Sequence, residues 1–298
     1  MKFTIRIFLF IIIFCSFAKA QELVEIIYHQ RLIFAELVVN ECDKAVFLID
    51  TGAIKSAIDI KSAERLRLII AGESRVEGSA GEIDVKNARL NTLSLGSASV
   101  SNLEVSAYDL SGVLAPPEKK VDGILGYDFL RYFSVEIDYK KQKIMLRKIP
   151  KKKLDFQTAV PFNLDNNIPR IKGILNGNVK ADFRLDTGAS LFETDDVYLN
   201  TTEGVWDQLK RSDPTLKPET YFTGSGVGGS VKLPVAKIKS LSIGRVTNRK
   251  VYVIVQPKAG YFARKDAVGF ISNNFLEKYS PVTIDYKTKR ILLTTIEK

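Results

Sequence analysis

The chain repeats itself, and that constrains its fold more than any other feature. Phe47-Leu-Ile-Asp-Thr-Gly-Ala53 recurs as Phe183-Arg-Leu-Asp-Thr-Gly-Ala189, 136 residues on. Leu93-Ser-Leu-Gly96 returns as Leu241-Ser-Ile-Gly244 at an offset of 148. Gly123-Ile-Leu-Gly-Tyr-Asp-Phe-Leu130 answers Gly269-Phe-Ile-Ser-Asn-Asn-Phe-Leu276 at 146, and Ile137-Asp-Tyr-Lys140 answers Ile284-Asp-Tyr-Lys287 at 147. Four matches in the same order point to an internal duplication. The 298 residues suffice for two lobes that each bury a core. The joint falls near Ile149-Pro150-Lys151-Lys152-Lys153, and the single jump in offset puts about ten extra residues in the polar stretch around 197–218. The expected division is a leader over 1–20, an N-terminal lobe over 21–149 and a C-terminal lobe over 150–298.

Each half reads as β-rich. The apolar runs 35–39 and 45–49 flank a polar turn, and Asn176-Gly177 marks the matching hairpin in the second copy. Residues 90–95, 100–107, 238–243 and 251–255 are further short strands. Helical signal is confined to 59–68, where Asp59 can cap, to 127–133, to 273–279 and to the surroundings of Trp206.

The N-terminus has the order of a secretory signal: Lys2 and Arg6, an apolar run over 7–14, then Ala18-Lys19-Ala20. That run is too short to span a bilayer, so the expectation is cleavage after Ala20, export to periplasm or extracellular space, and no lasting membrane insertion. The formal charge falls from +10 to +7 with the loss of Lys2, Arg6 and Lys19. Cys42 is then the one cysteine, so no internal disulfide is available. The basic residues are scattered apart from the lysine triplet, which reads as a solvated linker, and nothing suggests nucleic acid.

Scarcity narrows the chemistry. A histidine-based hydrolase would rest on His29 alone, and a His/Cys zinc site has too few ligands. No metal or other cofactor is expected. What remains is carboxylates. Asp50 and Asp186 each end an apolar run, and a pseudo-twofold fold would bring the two side by side. Adjacent carboxylates cannot both ionise freely, so such a pair shares a proton and can act as acid and base together. Asp138 and Asp285 are also a repeated pair, but each precedes Tyr-Lys at a turn and reads as structural.

Two Asp-Thr-Gly-Ala motifs, each followed by an apolar-apolar-Gly type segment, resemble those of the aspartic proteases. The alanine after each glycine and the Ile124-Leu125-Gly126-Tyr127-Asp128-Phe129-Leu130 ending are most similar to the retropepsin-like branch. The resemblance implies an all-β, bilobal, pseudo-twofold fold of two retropepsin-like β-barrel lobes with a few short helices, here fused so that a monomer could be active. It implies Asp50 and Asp186 as catalytic, with Thr51 and Thr187 cross-linking the loops in the arrangement called the fireman's grip. Gly52 and Gly188 would let the backbones approach, and Ala53 and Ala189 would keep the cleft floor small. By position, Gly78, Ser79, Ala80 and Gly81, and Gly226, Val227, Gly228 and Gly229, would form two flap tips over a peptide or protein substrate.

Three points qualify the resemblance. Ser272 stands where Gly126 stands in the first copy, predicting strain or a local shift. Gly224, Gly226 and Gly229 also satisfy G-x-G-x-x-G, but Pro234 and a strand-like sequence follow where a dinucleotide site needs a helix. Finally, a silent peptide-binding protein could keep the fold, although it would have no need of two matched acids.

Overall fold

The computed structural model describes residues 22–77, 81–189, 195–226 and 229–295. Its strands form two eight-stranded sheets of identical topology and one six-stranded sheet between them. In the first lobe the order is Ile27–His29, Leu32–Val39, Asp43–Ile49, Gly123–Leu125, Ala57–Asp59, Ala98–Tyr108, Glu82–Leu95, Ile69–Glu77. In the second it is Asn163–Asp165, Ile168–Leu175, Val179–Leu185, Gly269–Ile271, Tyr198–Thr202, Val246–Gln256, Gly229–Ile243, Thr220–Gly226. An extra pairing in each lobe, Val39 with Leu93 and Leu175 with Leu241, closes six of the eight strands into a barrel. A barrel leaves fewer open edges and gives every inward residue a packed partner. The fold is therefore all-β and bilobal.

The six-stranded sheet carries the same symmetry. Its order is Leu23–Glu25, Lys143–Arg147, Ser134–Asp138, Val282–Asp285, Arg290–Thr294, Gln157–Pro161. The two central strands pair antiparallel across the axis, Val135 opposite Ile284. One apolar core runs through both barrels and this sheet, including Phe47, Phe129 and Val135 on one side and Phe183, Phe275 and Ile284 on the other.

Local signals account for most elements. Asn176 and Gly177 both adopt positive φ, 49° and 80°, as a tight two-residue hairpin requires. Asp59 caps the helix Ile60–Arg65, accepting from the Ser62 amide at 3.1 Å. The helix Glu203–Ser212 lies within the stretch read as inserted, buries Trp206 and Leu209, and is capped by Thr202. The helix expected over 127–133 is shorter, Tyr127–Leu130. The lysine triplet is not wholly free: Lys151 pairs with Glu136, while Lys152 and Lys153 are exposed.

Candidate active site

Each Asp-Thr-Gly loop is launched by a parallel pairing. Ile49 runs beside Leu125 and Leu185 beside Ile271, so Asp50 and Asp186 emerge where paired strands end. The Asp50 amide donates to the Leu125 carbonyl at 3.0 Å and the Asp186 amide to the Ile271 carbonyl at 2.9 Å. Matching anchors of this kind fix the two loops as rotational partners about the axis.

The threonines tie the loops together. Thr51 Oγ1 donates to the Leu185 carbonyl at 2.8 Å and accepts from the Thr187 amide at 3.1 Å. Thr187 Oγ1 donates to the Ile49 carbonyl at 2.7 Å and accepts from the Thr51 amide at 3.0 Å. Both side chains are buried, so four hydrogen bonds cross between lobes without competition from water. This is the cross-link expected of these two residues.

The glycines explain how close the loops come. A methyl group on Gly52 would lie 2.7 Å from Asp186 Cγ, and one on Gly188 would lie 2.4 Å from Asp50 Cγ. Each glycine backbone therefore lies against the opposite carboxyl. Each amide also serves its own loop: Gly52 donates to Asp50 Oδ1 at 2.7 Å, and Gly188 to Asp186 Oδ1 at 3.0 Å.

The two carboxyls are brought close together, each packed against the glycine of the opposite loop. Burial raises the proton affinity of both, although an edge of each stays open to solvent. For Asp186, the Asp50 charge raises it further. Amides of the glycine loops pull the other way by favouring the ionised form. The pair thus holds a proton at pH values where a free carboxyl has lost it. Tyr108 stands within reach of this charge; burial and then Asp50 push its hydroxyl up to about 12.

Several supporting residues carry no sequence signal of their own. The Asn273 amide group donates to the Thr187 carbonyl at 2.7 Å and to the Arg31 carbonyl at 2.6 Å, while accepting from the Tyr139 hydroxyl at 2.8 Å. It therefore joins the second Asp-Thr-Gly loop to the first lobe. Arg31 reaches across to Glu277 and Asp195, and the Tyr28 hydroxyl donates to Glu277 at 2.7 Å. Asn273 occupies the position of Tyr127 in the other copy, and that asymmetry is the one trace visible in sequence.

Ser272 is accommodated without the expected strain. Its backbone is extended, its side chain is fully buried, and its hydroxyl donates to the Tyr198 hydroxyl at 2.8 Å. At Gly126 an added methyl would lie 2.8 Å from the Ala53 carbonyl oxygen, so the first copy has no such room. Asp138 and Asp285 are turn residues, accepting from the amides of Lys141 and of Lys287 and Thr288. His29 ends the strand Ile27–His29, and Cys42 is exposed in a turn.

Of the flap positions, Gly81, Gly226 and Gly229 are described, and Gly226 pairs with Gly229 at the end of a hairpin. Gly78, Ser79, Ala80, Val227 and Gly228 lie outside the described residues, as do Met1–Gln21 with the leader. The glycine-rich segment 224–229 is followed by the strand Gly229–Ile243, not by the helix a dinucleotide site requires. Among the described residues no helix is long and apolar enough to cross a membrane.

Two pseudo-equivalent loops each offer one carboxyl to a shared, threonine-locked centre on a bilobal β scaffold. The comparison with known families finds one match: residues 35–129, which contain the first Asp-Thr-Gly loop and its supporting strands, are similar to the aspartyl protease family. No curated protein matches the chain.

Proposed function

We propose that this protein is an exported aspartic endopeptidase with Asp50 and Asp186 as its catalytic pair. The observation that carries the reading is the close approach of two carboxyls held by symmetric loops, each against the glycine of the other loop, with proton affinity raised by burial and, for Asp186, by the charge of Asp50 as well. In such a pair the ionised member takes a proton from water as the water attacks a peptide carbonyl. The protonated member donates to the carbonyl oxygen, so charge never builds up unpaired. The Thr51–Thr187 cross-link fixes the separation on which the sharing depends, and Ala53 and Ala189 follow each loop with small side chains. A peptide or protein substrate would lie extended against the hairpins that carry the pairs Glu77–Glu82 and Gly226–Gly229, pairing with them as an added strand. On this reading 1–20 is a removed signal, 21–149 and 150–298 are the lobes, and one chain holds a complete site.

The test is cleavage of an unbiased peptide mixture by residues 21–298 between pH 3 and 8, with products read by mass spectrometry. Asp50→Asn and Asp186→Asn should each lower turnover by at least a thousandfold while the protein stays folded. Cuts that persist at the original rate in either variant would reject the assignment.

A further inference from the structure

The lobes repeat each other's topology but not the chemistry of the face that carries each aspartate. Side chains alternate along a strand, so the residue two before each aspartate shares its face. In the first lobe that residue is Leu48, in register between Phe34 and Ile124. All three are buried, and they pack with Leu110 and Val121 in a separate apolar cluster whose partly exposed rim includes Ala53 and Tyr108. Ala53 belongs to the loop that Asp50 opens, which sets this cluster beside the carboxyl pair.

The equivalent row in the second lobe reads Arg170, Arg184 and Phe270. One strand further, Ala57 of the first lobe corresponds to Asn200, and Tyr108 corresponds to Gln256, whose amide donates to Asn200. Matched apolar positions have thus become polar on one side of the axis only. Such a change is costly inside a fold unless the polar groups are used.

Arg184 is the residue with capacity to spare. Its side chain is 11% exposed, its Nε donates to Asp165 at 3.0 Å, and its guanidinium lies 4.0 Å from the centre of the Tyr261 ring. Its Nη2 group is buried with no hydrogen-bond partner among the described residues. The ion pairs around it, Arg184 with Asp165 and Arg170 with Asp182, already balance. What the site lacks is therefore an acceptor oxygen, charged or neutral, and not a net negative charge.

Resting on the proteolytic reading above, we infer that the bound peptide is read asymmetrically. The first lobe takes an aliphatic or aromatic side chain. The second takes one ending in a carboxamide or carboxylate, received by Arg184. A terminal oxygen of that kind meets the exposed edge of the guanidinium and, as the side chain turns off the Tyr261 ring, its unpaired Nη2, whereas an aliphatic side chain offers no acceptor.

The test uses the Asp50→Asn protein, so that binding is scored apart from hydrolysis. Peptides randomised over neighbouring positions are selected on it and sequenced. The expected result is one apolar position beside one enriched in Gln, Glu, Asn or Asp. Adding Arg184→Leu should lower the polar preference roughly tenfold, towards aliphatic residues, and leave the apolar position alone. Arg184→Gln, closer in polarity, should move it the same way if the leucine variant fails to fold by circular dichroism. Two apolar positions, no selected peptide, or a polar preference unmoved by the variants would overturn the inference. Cleavage by the unaltered protein is followed in parallel. Asymmetric binding without any cleavage would reject hydrolysis but keep the asymmetry, while cleavage flanked by apolar residues on both sides would do the reverse.

Discussion

Replacing Thr51 with alanine removes one hydroxyl that serves two backbone groups of the opposite lobe. The Thr187 amide and the Leu185 carbonyl then lose their partners at 3.1 and 2.8 Å. Thr51 is 2% exposed, so water does not replace the hydroxyl without opening the loop. Each buried, unmet group costs about 1–3 kcal/mol, giving about 2–6 kcal/mol for the pair. Thr51→Ser retains the hydroxyl and loses only a methyl group, worth about 1 kcal/mol. Urea denaturation at neutral pH, followed by tryptophan fluorescence and circular dichroism, measures both. Trp206 is the chain's one tryptophan and is largely buried in the second lobe, so it reports on that lobe while circular dichroism reports on the whole. The alanine variant should lose at least 2 kcal/mol more than the serine variant. Equal losses would mean that the hydroxyl bonds do not hold the loops, and would refute the cross-link as a stabilising device.

Three other outcomes follow from the same geometry. Because burial raises both carboxyls of the pair, the folded state binds more protons there than the unfolded chain, so this pair costs stability as pH climbs above the ordinary carboxylate range. Asp186→Asn should flatten that slope in denaturation midpoints between pH 4 and 7, and an unchanged slope would contradict it. Gly188→Ala places a methyl 2.4 Å from Asp50 Cγ, so the protein should fold with a displaced loop and lose at least a hundredfold in peptide cleavage; full activity would show that the loops are not so closely opposed. Arg31→Ala strips Glu277 of its cation and unlinks Asp195 across the lobes. Thermal unfolding should register a loss of about 1.5–3 kcal/mol, and a neutral effect would assign the clamp no role in lobe association.

What could be read from the sequence was the chemistry that occurs twice at fixed spacing. Asp50 and Asp186, the threonines after them and the hairpin at Asn176-Gly177 were legible because short-range rules determine them. The Arg31–Glu277 pair was not, since its partners are 246 residues apart and meet only when the axis is formed. Ser272 looked like a defect on the assumption that both copies share one environment; in fact Tyr198 supplies a partner there. Arg184 stood in plain view as the counterpart of Leu48, yet its meaning depends on the register that sets it between Arg170 and Phe270.

The six-stranded sheet also dictates how the chain can acquire its structure. Leu23–Glu25, the first strand of one half, pairs with Lys143–Arg147 at its end, and Gln157–Pro161 likewise pairs with Arg290–Thr294. Neither half can seal itself until its last residues are available, and the rungs that join the halves, Ser134–Asp138 with Val282–Asp285, come later still. Contacts this distant along the chain make folding slow. A chain emerging from its N-terminus would therefore trail an unpaired first strand through most of its synthesis, and the two aspartates would meet only at the final step of assembly.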